Sequence, residues 1–474
     1  MRRVAVVGSG VAGLGAAHAL ATAGQGCRVT LFEAGPYFGG HAHTVDVTLP
    51  GAKGQPVTHG VDTGFLVYNE RTYPQLIALL NRLRVVRAAS DMSFSVQVPA
   101  AAGRARLTGV DAWLSDLQWC GSSLDTVFAQ RRNLMSLGFW RMLRDLLRFN
   151  RLATRLAEQG DDASLSQPIA EFLDAHRFGA EFREGYLLPM VACIWSCPTQ
   201  QMLAFPMGSL IRFCHNHGLL QVTDRPQWYT VAGGSREYVR QVIRQLPDAR
   251  RDTPVRALTR LGEHGQGGVV VHTDDGPQIF DEVVLACHSD QALALLGQEA
   301  APAERELLGA IRYHANRAVL HTDEALMPSR RKAWAAWNYE RSAPGREQGP
   351  GVCLHYWINR LQPLPWAQTV VVSLNPLREP RPEHVISEHA YAHPVFDLPA
   401  VAAQRRLGEI QGRRHVWFCG AWTGYGFHED GLKSGLGVAA AILARQRYDT
   451  LAEAEAEQGV PLFAEPVSGS GPAA

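Results

Sequence analysis

The sequence predicts an α/β protein in which a doubly wound domain is assembled from separated stretches of chain and joined to an α+β domain. Three observations carry this. The chain opens with an apolar run ending in glycines, RVAVVGSG, followed by an alanine- and leucine-rich stretch over 11–23 and a second apolar run over 27–33. β-rich runs return in the middle, at 267–276 (GGVVVHTDDG) and 281–287 (DEVVLAC). A last one, HVWFCG at 415–420, lies near the C-terminal end.

Residues 3–7 suit a strand buried on both faces of a parallel sheet, because their apolar run has no polar alternation. The stretch 11–23 then reads as a crossover helix and 27–33 as the strand that closes a βαβ unit. Helical patterns follow at 75–84 and 133–158, the second ending at the polar break QGDDAS, and the middle region reads as a largely helical insertion. The runs at 267–276 and 281–287 read as strands flanking an Asp-Gly turn. A small-residue helix is expected over about 431–447 and a disordered tail over 458–474 (GVPLFAEPVSGSGPAA and its start). Dinucleotide-type signals thus occur at the beginning, middle and end. Residues 1–90, 225–300 and 410–447 are expected to form one domain, and 91–224 with 301–409 the other. No internal repeat of 20–50 residues is apparent.

With 474 residues the chain exceeds what one core usually supports, which favours two interlocked domains. Charged residues at 19% and hydrophobic ones at 46% are ordinary for a soluble globular protein, and a net charge of +1 argues against nucleic acid as a partner. Eight cysteines are scattered, and only Cys193 and Cys197 lie close; no second pair completes a metal set, so reduced core thiols of a cytoplasmic protein are expected. The arginines before VAVVGSGVAGLGAAHAL imitate a signal peptide, but the glycine spacing assigns that stretch to the fold. No apolar run reaches the length of a transmembrane helix.

Gly8, Gly10 and Gly13 form G-x-G-x-x-G between the first strand and first helix, with Ser9 inside the turn. The first glycine allows the tight turn, the second admits a pyrophosphate, and the third lets helix and strand pack closely. The helix N-terminus offers free N–H groups to phosphate, and Glu33, twenty residues beyond Gly13, is placed to accept from both ribose hydroxyls. This is a Rossmann-type dinucleotide site.

After Glu33 come Gly39, Gly40 and His41, and near the end comes GAWTGYGFHEDGLKSG, residues 420–435. Both segments resemble motifs of the flavin-containing amine oxidase and carotenoid desaturase superfamily. Together with VYNERTYPQL, SDMSFSV, IWSCP, AFP and GFHEDGLKSGL, they are similar to a bacterial group of NAD/FAD-binding amine-oxidase-like proteins, over nearly the whole chain up to about residue 445. The resemblance implies FAD as cofactor and an FAD-binding domain beside a substrate domain. It places the Gly39–Gly40 pair and Gly420 against FAD, Asp430 near the phosphates, and Gly431 and the Leu432 N–H at the pyrimidine end of the flavin. Gly64 and Phe65 fall where backbone passes the flavin, and Val255 where a strand meets adenine. Many superfamily members carry arginine where this chain has His41. Some members of the group are associated with modification of unsaturated or methylated fatty acyl chains, alongside cyclopropane-fatty-acid-synthase-like methyltransferases.

Flavin dehydrogenation needs positioning more than a protein nucleophile, and neither G-x-S-x-G nor H-E-x-x-H is present. If an alkene forms, a proton must also leave; His428 and Glu429 are the candidate bases, with loop-fixing hydrogen bonds as their ordinary alternative. Tyr425 falls where amine oxidases of the superfamily place an aromatic wall, and packing is favoured for it over proton transfer. His41, His43 and His59 have ligand-like spacing but belong to the pyrophosphate loop, so no metal is expected. Arg141, Arg144, Arg148, Arg151 and Arg155 share an arc of about 80° on a helical wheel. Trp140 and Phe139 stand at that helix's start, a pattern of peripheral membrane contact as well as of an ordinary surface helix.

The leading expectation is therefore an FAD-dependent oxidoreductase desaturating an apolar substrate, a fatty acyl chain of a lipid, with oxygen as electron acceptor. Its alternatives are a flavin amine oxidase and a redox-neutral isomerase or partner flavoprotein. The expected setting is cytoplasmic, peripheral to the inner face of the membrane.

Overall fold

The computed structural model describes residues 1–458 except 25, 101–107, 161–166, 197–201, 222–224, 263–266 and 343–351, with side chains up to residue 446. Cys197 and the tail expected to be disordered after 458 lie outside the described residues.

The first sheet is parallel throughout and has the order Ala249–Arg250, Cys27–Phe32, Arg2–Val7, Glu282–Leu285, Val416–Phe418. Its strands come from three distant parts of the chain. Val4, Ala5, Val6, Val29, Leu31, Val283, Val284 and Leu285 are all fully buried. That burial explains the unbroken apolar runs, since crossover helices cover both faces of such a sheet. The helix Val11–Thr22 packs most heavily on the last helix, His428–Gln458. Small residues make this possible: a Cβ on Gly435 would sit 2.1 Å from the Ala12 carbonyl oxygen, and one on Gly15 would sit 2.5 Å from Leu432 Cδ1.

Two expectations about local structure are corrected. Val269–Thr273 pairs antiparallel with Gly276–Phe280 across Asp274 and Asp275, whereas Glu282–Leu285 runs in the parallel sheet beside Arg2–Val7. The hairpin partner is the short PQIF run, half exposed and easy to overlook, while the fully buried EVVL needs a place covered on both faces. The last helix begins at His428 rather than 431, with Glu429 and Asp430 in its first turn, where carboxylates favour the positive end of the helix dipole.

The second large sheet has seven strands in the order Val385–Val395, Arg312–His321, Val371–Leu374, Cys353–Trp357, Trp337–Glu340, Phe94–Gln97, Gln118–Cys120. A helical layer lies beside it, formed by Leu137–Gln159, Leu188–Trp195 and Met207–Asn216, around a separate apolar cluster that includes Phe149, Phe172, Phe182, Trp195 and Phe213. The helix expected from 133 starts at Leu137, after a 3-10 turn over Arg131–Met135, because the Ser136 hydroxyl accepts from Phe139 N and caps it. No described helix is long and apolar enough to cross a membrane.

Candidate functional site

A cavity of about 720 Å³ runs from the C-terminal edge of the parallel sheet to the face of the seven-stranded sheet. Gly8, Ser9, Gly10, Glu33, Gly40, His41, Gly64, Phe65, Val255, Gly420, Tyr425 and His428 line it, joining positions up to 420 residues apart. Gly13, Gly39, Asp430, Gly431 and Leu432 do not line it.

At one end the glycine turn is held by Glu33. Its carboxylate accepts from Ser9 N at 3.0 Å, from Ser9 Oγ at 2.5 Å and from Gly35 N at 2.8 Å. Gly8 has φ of +102°, which favours glycine. Gly13 has a steric reason, since a Cβ there would lie 1.9 Å from the Gly8 carbonyl oxygen. Gly10 has neither reason. Its φ of −62° and ψ of 174° suit any residue, and a Cβ would meet no protein atom within 4 Å. Glycine at this position is needed only by something that fills the cavity directly above the helix N-terminus, as a pyrophosphate does.

Gly40 and Gly64 let the second loop close on the first: a Cβ on Gly40 would lie 3.1 Å from Gly10 Cα, and one on Gly64 would lie 2.3 Å from the His41 carbonyl oxygen. The His41 Nε2 is buried without a hydrogen-bond partner. Burial, then the neighbouring His393, His288 and His428, hold its pKa well below the usual range, so the ring is neutral. An unpartnered buried nitrogen beside Gly40 fits a cofactor oxygen. Thus the cradle above Gly10 and the free nitrogen of His41 both suit a dinucleotide diphosphate. Val255, beside Thr253, Pro254 and Arg256, forms the far end of the cavity.

At the other end Phe65 stacks on His428, centroids 3.7 Å apart and planes within 14°. His428 Nε2 is bonded to the Tyr238 hydroxyl at 3.0 Å, and burial pushes the His428 pKa down to about 3. The Tyr425 carbonyl accepts from Trp195 Nε1 at 3.1 Å, which fixes Tyr425 in the wall.

Three positions that the resemblance puts at the cofactor make contacts within the protein. Asp430 turns back to accept from Phe427 N at 3.0 Å and closes the turn before the helix; burial raises its pKa to about 6. Leu432 is fully buried, its side chain wedged at Gly15, and it lies inside a helix that begins four residues earlier, where its N–H belongs to the i−4 ladder. Gly431 serves packing, as a Cβ there would lie 2.8 Å from Val11 Cγ1. Glu429 is no base within the cavity: its carboxylate caps the helix Pro74–Arg82, accepting from Gln75 N at 2.8 Å and Leu76 N at 3.0 Å.

The structure adds residues that motif reading missed. Trp337 and Tyr356, directly paired across neighbouring strands, line the cavity with ring centroids 4.9 Å apart at 80°. The Trp337 Nε1 is buried without a partner. His288 and His393 also line it, and His393 continues the every-second-residue row His389, Tyr391, His393 on the strand Val385–Val395. That period-two row was the available signal. His43 packs against that row outside the cavity lining, its Nδ1 lying 2.9 Å from Thr63 Oγ1 and 3.2 Å from the Tyr391 hydroxyl. Behind the seven-stranded sheet, Glu340, Cys353 and His355 form a buried group whose ligand-type atoms lie within 4.8 Å of one another. His355 Nε2 is bonded to Glu340 at 2.9 Å and its Nδ1 to Ser373 Oγ at 2.6 Å, so the group is satisfied by its own hydrogen bonds.

No curated protein matches this chain. Among solved structures it is similar to a CLA-producing fatty acid isomerase from P. acnes at 15% identity, covering 93% of this chain and 98% of that one, with a TM-score of 0.62. It is similar to the cyclohexylamine oxidase of Brevibacterium oxydans IH-35A at 16% identity over 94% and 99% of the two chains, with a TM-score of 0.62. A putrescine oxidase bound to putrescine gives 16% identity, 94% and 99% coverage and a TM-score of 0.60. At these identities the likeness is one of fold. Residues 11–443 match the family described as flavin containing amine oxidoreductase, and the chain belongs to that family, as an FAD-dependent oxidoreductase.

Proposed function

We propose that the protein desaturates a long apolar substrate, a fatty acyl chain of a lipid, with oxygen as the final electron acceptor. When bound, FAD supplies the two-electron acceptor for this oxidation. In this reading residues 1–90, 225–300 and 410–447 make the FAD-binding domain, and 91–224 with 301–409 make the substrate domain. Gly8, Ser9, Gly10, Gly40 and His41 hold the diphosphate, Glu33 the ribose, and Val255 the adenine. Gly64, Phe65 and Gly420 border the ring.

The observation that carries the substrate class is the charge of the cavity. Among its lining residues only Glu33 and Arg256 are formally charged, both at the nucleotide end. The imidazoles are held neutral by burial: His393 and His217 to about 4 and His428 to about 3. Beyond Phe65 the wall is Cys193, Ile194, Trp195, Phe213, Leu219 and Phe427. Such a wall offers an ammonium ion no carboxylate to pair with, whereas about ten buried methylenes would contribute roughly 8 kcal/mol before ordering costs. The aromatic pair agrees. Trp337 and Tyr356 touch edge to face, while a slot for an amine between two ring faces needs about 7 Å, twice the usual carbon contact distance. The Trp337 indole N–H is free to donate to an oxygen of the substrate or cofactor.

Chain residues orient and exclude water rather than transfer protons. A base with pKa near 3 is poorly matched to neutral pH, so His428 acts as a positioning residue that fixes Phe65, and Tyr425 acts as wall.

The test is anaerobic mixing of FAD-loaded protein with phospholipid vesicles bearing monounsaturated or methyl-branched chains. Bleaching of the flavin absorbance together with an acyl product two hydrogens lighter is expected. Bleaching by small amines alone would replace this reading with amine oxidation, and an acyl product of unchanged mass would replace it with isomerisation.

A further inference from the structure

Twelve large apolar side chains are exposed among the described residues, and half of them fall between 124 and 147. The densest group spans seven residues: Leu134 at 45% exposure, Met135 at 88%, Leu137 at 75% and Trp140 at 48%. They occupy the 3-10 turn Arg131–Met135 and the first turn of the helix Leu137–Gln159. Scattered single apolar residues are normal on a protein surface, but a contiguous group marks a place of contact. This one is rigidly built. Trp140 Nε1 donates to the Leu134 carbonyl at 2.9 Å, the Trp140 ring packs 5.5 Å from Phe128, and Ser136 caps the helix.

Charge surrounds the tip. Between residues 124 and 157 there are seven arginines and two aspartates, a local net charge of +5 against +1 for the whole chain. Arg131, Arg132, Arg141 and Arg144 are all more than half exposed; each has one carboxylate beside it, Asp125, Asp116, Glu181 and Asp145 in turn, but pairs made by arginines this exposed are worth little and leave guanidinium N–H groups facing solvent. The helix face read from the wheel plays a smaller part than the wheel suggested. Arg148 is turned onto the His176 and Arg177 carbonyls and over the Phe178 ring, and Phe139 is fully buried.

We propose that this tip is the docking surface for an anionic lipid bilayer: Leu134, Met135, Leu137 and Trp140 enter the interface, and the surrounding arginines meet headgroup phosphates. An apolar group beside arginines is the complement of a bilayer interface, where anionic phosphates lie above acyl chain. The same helix continues inward. Phe149 and Ala153 pack in the apolar cluster that contains Trp195 and Phe213, two walls of the cavity. The inference deepens the acyl-chain reading and rests on it for the source of substrate, but its test needs no turnover.

FAD-loaded protein is floated with vesicles of phosphatidylglycerol or of phosphatidylcholine, and Trp140 emission is followed with acyl-brominated lipid. Binding to phosphatidylglycerol at least tenfold tighter than to phosphatidylcholine, weakened by salt, with quenching lost in Trp140→Phe, is expected. The Met135→Glu, Leu137→Glu double variant changes only exposed positions; it should keep its FAD and melting temperature and lose at least tenfold in vesicle binding. Equal binding by that variant, or none by the unaltered protein, overturns the surface. So does a dimer in sedimentation that the variant breaks, because a second copy would then be the occupant. A protein that binds vesicles yet oxidises only soluble amines keeps this surface and loses the acyl-chain reading.

Discussion

Replacing Gly10 separates what the fold needs from what the cofactor needs. Its backbone already has φ of −62°, and no protein atom lies within 4 Å of the position a Cβ would take. Gly10→Ala in the apoprotein should therefore be neutral to stabilising by about 0.4–1 kcal/mol, through the lower entropy of the unfolded chain. Gly10→Val places two further methyl carbons in the space above the helix N-terminus. Overpacking of this kind costs about 1–3 kcal/mol, and loss of N–H contacts to a charged group adds about 1.5–3 kcal/mol. Taken together, an FAD affinity loss of at least about 100-fold is expected. The assay is paired: thermal unfolding of apoprotein, and FAD released per chain after gel filtration. Gly13→Ala is the contrast, because its Cβ would lie 1.9 Å from the Gly8 oxygen and must lower the stability of the apoprotein itself. Stoichiometric FAD in Gly10→Val, or an apo Gly10→Ala destabilised by more than about 1 kcal/mol, would refute the reasoning.

Acid should weaken the apoprotein. Burial lowers His43, His217, His321 and His393 to about 4 and His428 to about 3, so below the unfolded value of about 6.5 the unfolded chain binds protons that the folded one refuses, and stability is lost as pH falls from there toward 4. Burial raises Asp62 and Asp430 to about 6, which works in the opposite direction over the same range, but two carboxyls stand against five imidazoles. His355 is charged on both sides of that window, because burial is outweighed by Cys353 and Glu340 and its pKa lies at about 10. A melting temperature that rises between about pH 6.5 and 4.5 would contradict this balance. Glu429→Ala removes the cap on Pro74–Arg82 and should cost about 1–2 kcal/mol in denaturant unfolding while leaving the bound-flavin spectrum unchanged; a lost spectrum would put Glu429 in the site.

The sequence by itself determined the βαβ opening, the role of Gly13 as a packing residue and the flavin family. Each depends on residues within about thirty positions of one another, or on a motif whose spacing is a local property of one turn. The unbroken apolar run at 3–7 also identified a parallel strand, because burial on both faces leaves no polar alternation to find, whereas the run at 281–287 read as one arm of a hairpin. What the tertiary structure decided is everything that depends on which distant side chain arrives. Glu429 reads as a candidate base because it stands beside the turn that the resemblance puts at the flavin, yet a helix starting at His428 turns its carboxylate onto Pro74–Arg82. The Trp337–Tyr356 wall joins two strands, and the imidazole wall brings His41 together with His288 and His393, more than 240 residues away. The apolar tip at 134–140 was hidden for the same reason. On a helical wheel Phe139 and Trp140 are both hydrophobic, and only packing against the rest of the chain buries the first and leaves the second in solvent.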